Sequence, residues 1–215
     1  MLKLAVITET STAAKNKDIL GALDGLGHTV FNVGMKGTGG EGELTTVETG
    51  LMSALALHLG CVDFVIGGCG TGQGYMNSVL QYPGIVCGLI NSPLDAWLFS
   101  QINAGNCVSL ALNKGYGWAG EIKLRHIFQR LFENEAGLGY PEARKEAQGA
   151  IREEQKRVSQ TTHHPFPDVL RLLDIELIKR VLQFDGFYHF LVEYGDSYGY
   201  LYECIVELGR EIGIE

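Results

Sequence analysis

The chain has 215 residues, a formal net charge of −8, 46% hydrophobic and 20% charged residues. That length holds one domain, or one domain with an appendage, and the composition is that of a globular protein with a core. The acidic balance excludes an extended nucleic-acid surface, which needs a basic patch, but not one small anionic ligand held by local donors.

Residues 2–7 read as a strand, too short and too soon polar for a signal peptide. A helix follows, capped by Ser11 or Thr12 and stopped by Gly25 and Gly27. Residues 28–33 predict a second strand. It leads into a glycine-rich loop, 34–42, whose Lys36, Thr38 and Glu41 make it either a plain connection or a substrate-covering loop. Thr45-Thr46-Val47-Glu48 is a capping box opening a helix to about residue 59. Residues 62–66 predict strand three, with a helix starting over 74–80. Strand four follows at 85–90, and Ser92-Pro93 opens the next helix with proline at its first position. Strand five spans 107–112, and a helix 118–132. Continuous apolar runs of this kind fit strands buried on both faces of a parallel sheet. Five strand–helix units predict an α/β fold: a doubly wound, Rossmann-like, five-stranded parallel sheet with helices on both faces.

The character changes near Glu133, so residues 1–135 read as the core. Residues 136–215 read as a helical C-terminal extension, part of the same structural unit and engaged in subunit contacts. Within it, 142–157 is charged without a wide apolar stripe, an exposed or subunit-bridging helix. Residues 161–167 read as a linker, and 168–182 and 199–212 as helices around an aromatic segment, 184–200. That segment predicts core or interface packing. No apolar run approaches the roughly 20 residues of a membrane span. The five cysteines, Cys61, Cys69, Cys87, Cys107 and Cys204, are odd in number and lack metal spacing. A reduced, cytoplasmic protein with no membrane partner, no metal and no cofactor is the simplest account. His163-His164 lacks a third ligand at zinc spacing, and His58, His126 and His189 read as packing or surface histidines.

The chemistry concentrates at Gly67-Gly68-Cys69-Gly70-Thr71-Gly72-Gln73-Gly74. A glycine-rich passage from strand to helix points backbone N–H groups at an anion on the helix N-terminus. The same helix end favours the thiolate form of a nearby cysteine, so Cys69 is a candidate base or nucleophile. The bland alternatives are a small buried hydrophobe for Cys69 and a helix cap for Thr71. Glu9 stands at the carboxyl end of strand one, where doubly wound folds place ligand contacts.

In these residues the chain resembles the ribose-5-phosphate isomerase B and galactose-6-phosphate isomerase family of sugar isomerases. The match runs through Cys69-Gly70-Thr71-Gly72-Gln73-Gly74, then Tyr82-Pro83-Gly84-Ile85. It continues in Ser100-Gln101-Ile102-Asn103 with Asn106-Cys107-Val108, and covers roughly residues 2–135. The resemblance implies a metal-free aldose–ketose isomerase working through a cis-enediolate, with Cys69 moving a proton between C1 and C2. Thr71 and the N–H groups of Gly70, Gly72 and Gly74 would stabilise the oxyanion. Glu9, Thr10, Gln73, Lys114 and Arg144 would contact substrate, and Asn103 would bind a hydroxyl or the enediolate. The resemblance also implies a homo-oligomer, dimer or tetramer, with sites assembled at subunit contacts.

The chain departs from the family pattern at several of these positions. The usual Asp-His pair after the first strand is Glu9-Thr10 here, and the histidine credited with ring opening is Ile102. The arginine after Pro-Gly-Ile is Val86, and Lys114 stands roughly where another arginine would. Arg144 keeps half of a C-terminal arginine pair whose other half is Gln148. A phosphate ester recruits several charge-assisted donors. An open-chain sugar acid such as a 4-deoxy-5-hexosulose uronate needs neither the ring opener nor the full cationic cluster, and stands beside a sugar phosphate as substrate. A different class is a non-catalytic sugar-binding or regulatory protein on a degenerate isomerase scaffold. A dinucleotide site is set aside, because Thr8-Glu9-Thr10-Ser11-Thr12 contains no glycine.

Overall fold

The computed structural model describes residues 1–39 and 42–214; Gly40, Glu41 and Glu215 lie outside the described residues. The apolar runs form five strands: β1 (Lys3–Thr8), β2 (Thr29–Asn32), β3 (Phe64–Cys69), β4 (Cys87–Ile90) and β5 (Cys107–Ala111). All pair in parallel, in the order β2-β1-β3-β5-β4. Five helices belong to this part: α1 (Asn16–Leu23), α2 (Thr46–His58), α3 (Gln73–Val79), α4 (Pro93–Leu98) and α5 (Gly120–Phe132). Alternate side chains of β1 go to opposite faces, as the strand period requires. Leu4 and Val6 pack with α1 and α5, whereas Ala5 and Ile7 pack with α2 and α3. The α/β fold class is as expected.

Several boundaries differ from the sequence expectation. Strand three ends at Cys69 rather than Ile66. Gly67 and Gly68 are strand residues whose missing side chains admit close neighbours. A Cβ on Gly67 would lie 2.0 Å from the Tyr75 ring, and one on Gly68 2.5 Å from the Leu110 carbonyl oxygen. The first helix starts as a 3₁₀ turn over Thr10–Lys15, capped by Glu9 and not by Ser11 or Thr12. The charged helix α6 runs over Lys145–Thr162, longer than expected, and contributes no buried side chain. The expected helix 168–182 is two, α7 (Phe166–Leu172) and α8 (Ile175–Leu182), because Asp174 accepts a bond from the Glu176 N–H and starts a new helix. The aromatic segment folds as α9 (Phe187–Tyr194), before α10 (Tyr200–Glu211).

The extension packs on the same face as α2. Phe166, Val181, Phe187, Leu191 and Ile205 are buried in one core with Leu51, Leu55 and Tyr75. Asp196 N–H also donates to the Leu59 carbonyl at 2.7 Å. Among the described residues no helix is long and apolar enough to cross a membrane. The chain passes from β1 to one side for β2 and to the other for β3, so the carboxyl ends of β1 and β3 flank a topological switch point. Ligands of such sheets bind in that crevice.

Candidate active site

Cys69 ends β3 at this crevice and is 6% exposed. Its carbonyl accepts the Leu112 N–H at 3.0 Å, which fixes the strand end against β5. Its Sγ lies 4.0 Å from Thr71 Oγ1, and Thr71 is exposed. A Cβ added at Gly74 would stand 3.6 Å from Cys69 Sγ and 3.3 Å from Thr46 Cγ2. The thiol, the start of α3 and the start of α2 therefore converge. Gly72 adopts φ +76°, a left-handed conformation suited to glycine, and its N–H donates to the Cys69 carbonyl at 3.3 Å. In this structure that amide is engaged, which removes it from the expected oxyanion donors. Gln73, the first residue of α3, is exposed, and its N–H points to Thr71 Oγ1 at 3.4 Å.

The loop after β1 supplies the opposite wall. Glu9 is buried and accepts bonds from Ser11 N (2.8 Å) and Ser11 Oγ (2.5 Å). Thr10 Oγ1 exchanges bonds with the Leu44 backbone, donating to its carbonyl and accepting its N–H, both at 2.9 Å. After β5, the Asn113 and Lys114 N–H groups both donate to the Gly70 carbonyl, at 2.9 and 3.0 Å. Asn113 Nδ2 reaches across to the Ser11 carbonyl at 3.1 Å. Asn113 was not singled out in the sequence, and Ser11 only as a helix cap; an asparagine just beyond a strand's carboxyl end was the available signal. Beside this crevice a cleft of about 810 Å³ lies between the glycine loop and the α8–α9 turn, with Lys36 and Thr38 on one side and Arg180 and Asp185 on the other. Glu41 of that loop lies outside the described residues.

Asn103 and Arg144 are elsewhere. A π-helical turn, Phe99–Asn103, continues α4 to the amino end of the sheet, four residues before β5 begins. Cys69 pairs with Ala111 and Val65 with Cys107, so the length of β5, about 13 Å at its usual rise, separates the two ends. Three successive carbonyls of the π turn are satisfied by the segment after α5. Ser100 accepts from Gly137 N (2.9 Å), Gln101 from Gly139 N (3.0 Å) and Ile102 from Arg152 (2.9 Å). Arg144, exposed in a short 3₁₀ turn, belongs to this segment. Arg152, also missed in the sequence, lies two four-residue steps beyond Arg144. Within one chain, then, Cys69, Thr71, Gly70, Gly72, Gln73, Gly74, Glu9, Thr10 and Lys114 share the carboxyl end, while Asn103 and Arg144 lie at the amino end.

Cys61, Cys87 and Cys107 pack in the core on the α2 side. Burial pushes the Cys61 thiol up to about 12. The Cys107 hydrogen bond and burial push Cys87 up as well. Tyr75, fully buried, is raised by burial and by Cys107; its hydroxyl lies 2.7 Å from Ser53 Oγ. Among the described residues no three His, Cys, Asp or Glu side chains gather as a metal site.

A family model described as Ribose/Galactose Isomerase matches residues 4–148, more than half of the chain. The chain belongs to the ribose/galactose isomerase family. It is an enzyme, a sugar isomerase, and the reading as a non-catalytic binding protein falls away. A structure described as 4-deoxy-L-threo-5-hexosulose-uronate ketol-isomerase complexed with a tartrate is similar at 36% identity and TM-score 0.91, covering 99% of this chain and 100% of its own. A ribose-5-phosphate isomerase from Vibrio parahaemolyticus is similar at 39% identity and TM-score 0.90, with 98% and 99% covered. A ribose 5-phosphate isomerase from Thermotoga maritima shares the fold at 22% identity and TM-score 0.55; the match takes 97% of its chain but 68% of this one. The two more similar isomerases thus match the extension as well as the core. Comparison with curated proteins gives no match.

Proposed function

We propose that this sugar isomerase interconverts a carbonyl and its neighbouring hydroxyl on an open-chain, carboxylate-bearing sugar, such as a 4-deoxy-5-hexosulose uronate. Cys69 carries the proton between the two carbons through a cis-enediolate. Thr71 and the amides of Gly70 and Gly74 face the developing oxyanion, with Lys114 and Gln73 on the substrate's flank.

The observation that carries the substrate class is Ile102, on the π turn beside Asn103. Its side chain holds no transferable proton, so ring opening has no agent at the position where the family resemblance locates one. A linear substrate needs none. Full-length similarity to a hexosulose-uronate ketol-isomerase supports the same reading. The separation of Asn103 and Arg144 from Cys69 supports a homodimeric site, in which a second copy presents its amino end to the Cys69 crevice. A sugar phosphate is the second reading, supported by equally extensive similarity to the Vibrio parahaemolyticus ribose-5-phosphate isomerase. Assays on ribose 5-phosphate, galactose 6-phosphate and a 4-deoxy-5-hexosulose uronate separate the two. Turnover of the uronate with little of either phosphate is expected; efficient turnover of a cyclic sugar phosphate alone overturns the uronate assignment.

A further inference from the structure

Glu9 is a buried carboxylate, 7% exposed, with no lysine, arginine or histidine paired to it among the described residues. The other buried carboxylate, Glu48, has an arginine. A buried carboxyl group with no basic partner depends on hydrogen-bond donors around it. Helix capping does not require a glutamate, since aspartate, asparagine, serine and threonine cap better. What the longer side chain achieves here is contact with Ser11. Oε2 takes the Ser11 N–H at 2.8 Å and Oε1 the Ser11 hydroxyl at 2.5 Å.

Ser11 is exposed, and its hydroxyl lies beside the backbone of Gly70. A Cβ built on Gly70, the residue after Cys69, would stand 3.7 Å from Ser11 Oγ and 3.3 Å from Asn113 Nδ2. Asn113 fixes the Ser11 backbone by its bond to the Ser11 carbonyl. The neighbouring hydroxyl is unavailable, because Thr10 Oγ1 both donates to and accepts from Leu44.

Ketol isomerisation moves two protons. One passes between adjacent carbons, and the other must leave the hydroxyl oxygen and arrive on the former carbonyl oxygen. We propose that Ser11 is a catalytic hydroxyl that moves the oxygen-bound proton, with Glu9 as the acceptor behind it. This rests on the isomerase reading of the same crevice. The substrate O–H bond breaks as its proton passes to Ser11 Oγ, and the Ser11 proton passes to Glu9 Oε1. The oxygen left behind becomes the new carbonyl. The reverse pair of transfers then protonates the former carbonyl oxygen, and Glu9 and Ser11 end as they began. The substrate oxidises one of its carbons and reduces the next, so no outside electron donor or acceptor enters.

The test uses Ser11→Ala, Ser11→Thr and Glu9→Gln, with Cys69→Ala as reference, on the sugar that the wild type turns over. Turnover and solvent-deuterium entry into unreacted substrate are followed together, and thermal midpoints check folding. Ser11→Ala and Glu9→Gln are expected to lose about 100-fold in kcat with KM within about threefold. Deuterium entry at carbon, which depends on Cys69, should persist, so its ratio to turnover rises. Ser11→Thr, which keeps a hydroxyl, should restore turnover to within about tenfold of wild type. If Ser11→Ala and Glu9→Gln turn over within about threefold of wild type while Cys69→Ala is dead, this proposal fails and the isomerase reading stands. Equal loss of exchange and turnover in the folded variants also overturns it, since that marks damage to the Cys69 step. If the folded wild type shows neither turnover nor exchange on all three sugars, the substrate reading and this proposal fall together.

Discussion

Arg180 Nε donates to Glu48 Oε1 at 2.9 Å, joining α8 of the extension to the first turn of α2. Glu48 also accepts the Thr45 N–H at 2.9 Å and the Thr45 hydroxyl, completing the box that caps α2. One carboxylate therefore both holds the helix start beside Cys69 and anchors the extension. With Lys36–Asp185 at 2.6 Å, it makes two ion pairs between the extension and this end of the sheet.

Arg180→Ala should destabilise the protein by about 1–2 kcal/mol, because Glu48 stays buried with only its Thr45 donors. The half-exposed arginine keeps the loss below that of a fully buried pair. A lower urea midpoint at unchanged slope is the expected result; an unshifted midpoint refutes it.

The same carboxylate sets an acid limit. Burial raises the Glu48 pKa, but the bonds from Thr45 and Arg180 outweigh it and hold the group below its ordinary 4.5. A depressed folded value gives stability that is complete above the unfolded value and lost as pH falls through the folded one. The wild type should therefore lose stability below about pH 4.5, and Glu48→Gln should show a shallower acid slope in thermal melts.

His58 responds higher on the scale. Partial desolvation lowers its pKa below 6.5, outweighing the opposing bond to the Pro83 carbonyl, and its ring stacks on Phe166 at 4.1 Å while the residue keeps an exposed edge. The unfolded chain then takes up a proton that the folded one refuses, so stability is full above 6.5 and falls below it until the folded value is passed. Melting temperature should drop as pH falls below about 6.5, and His58→Gln should flatten that limb.

Gly67→Ala would force a methyl group to within 2.0 Å of the Tyr75 ring, which has no room to move in the core. A loss of about 3 kcal/mol or more is expected, read from chemical denaturation. Recovery of wild-type stability in Gly67→Ala would show that the ring can shift.

Cys69→Ala should abolish both turnover and deuterium entry into substrate, at least about 1000-fold, while leaving the melting temperature near wild type. Carbon exchange at the wild-type rate would remove Cys69 from its role.

The sequence pattern carried most of this fold. Uninterrupted apolar runs marked the five strands, and Thr45-Thr46-Val47-Glu48 announced the α2 cap that the structure contains. The exact end of β3 was hidden because Gly67 and Gly68 read as a turn, whereas their role is to let Tyr75 and Leu110 come close. The carboxyl-end grouping around Cys69 followed from residues just after strands. The place of Asn103 at the other end also follows from chain order, four residues before β5, whereas its role came from the family resemblance alone. Ser11 looked like a cap and became the partner of one. The extension's packing was open between core and interface, because amphipathic helices bury an apolar face equally well against either.

The joining of residues 166–214 to the α2 core bears on how the chain acquires its shape. Leu59 and Asp196, and Cys61 and Leu191 (3.9 Å from thiol to carbonyl), meet across more than half of the sequence. During synthesis the side of the sheet carrying α2 and α3 emerges long before its cover, and its apolar surface must wait for residues 166–205. Such distant pairings slow folding and prolong exposure to aggregation. A chain cut near residue 148, where the family match ends, would leave the α2 side of the sheet without its cover from residues 166–205.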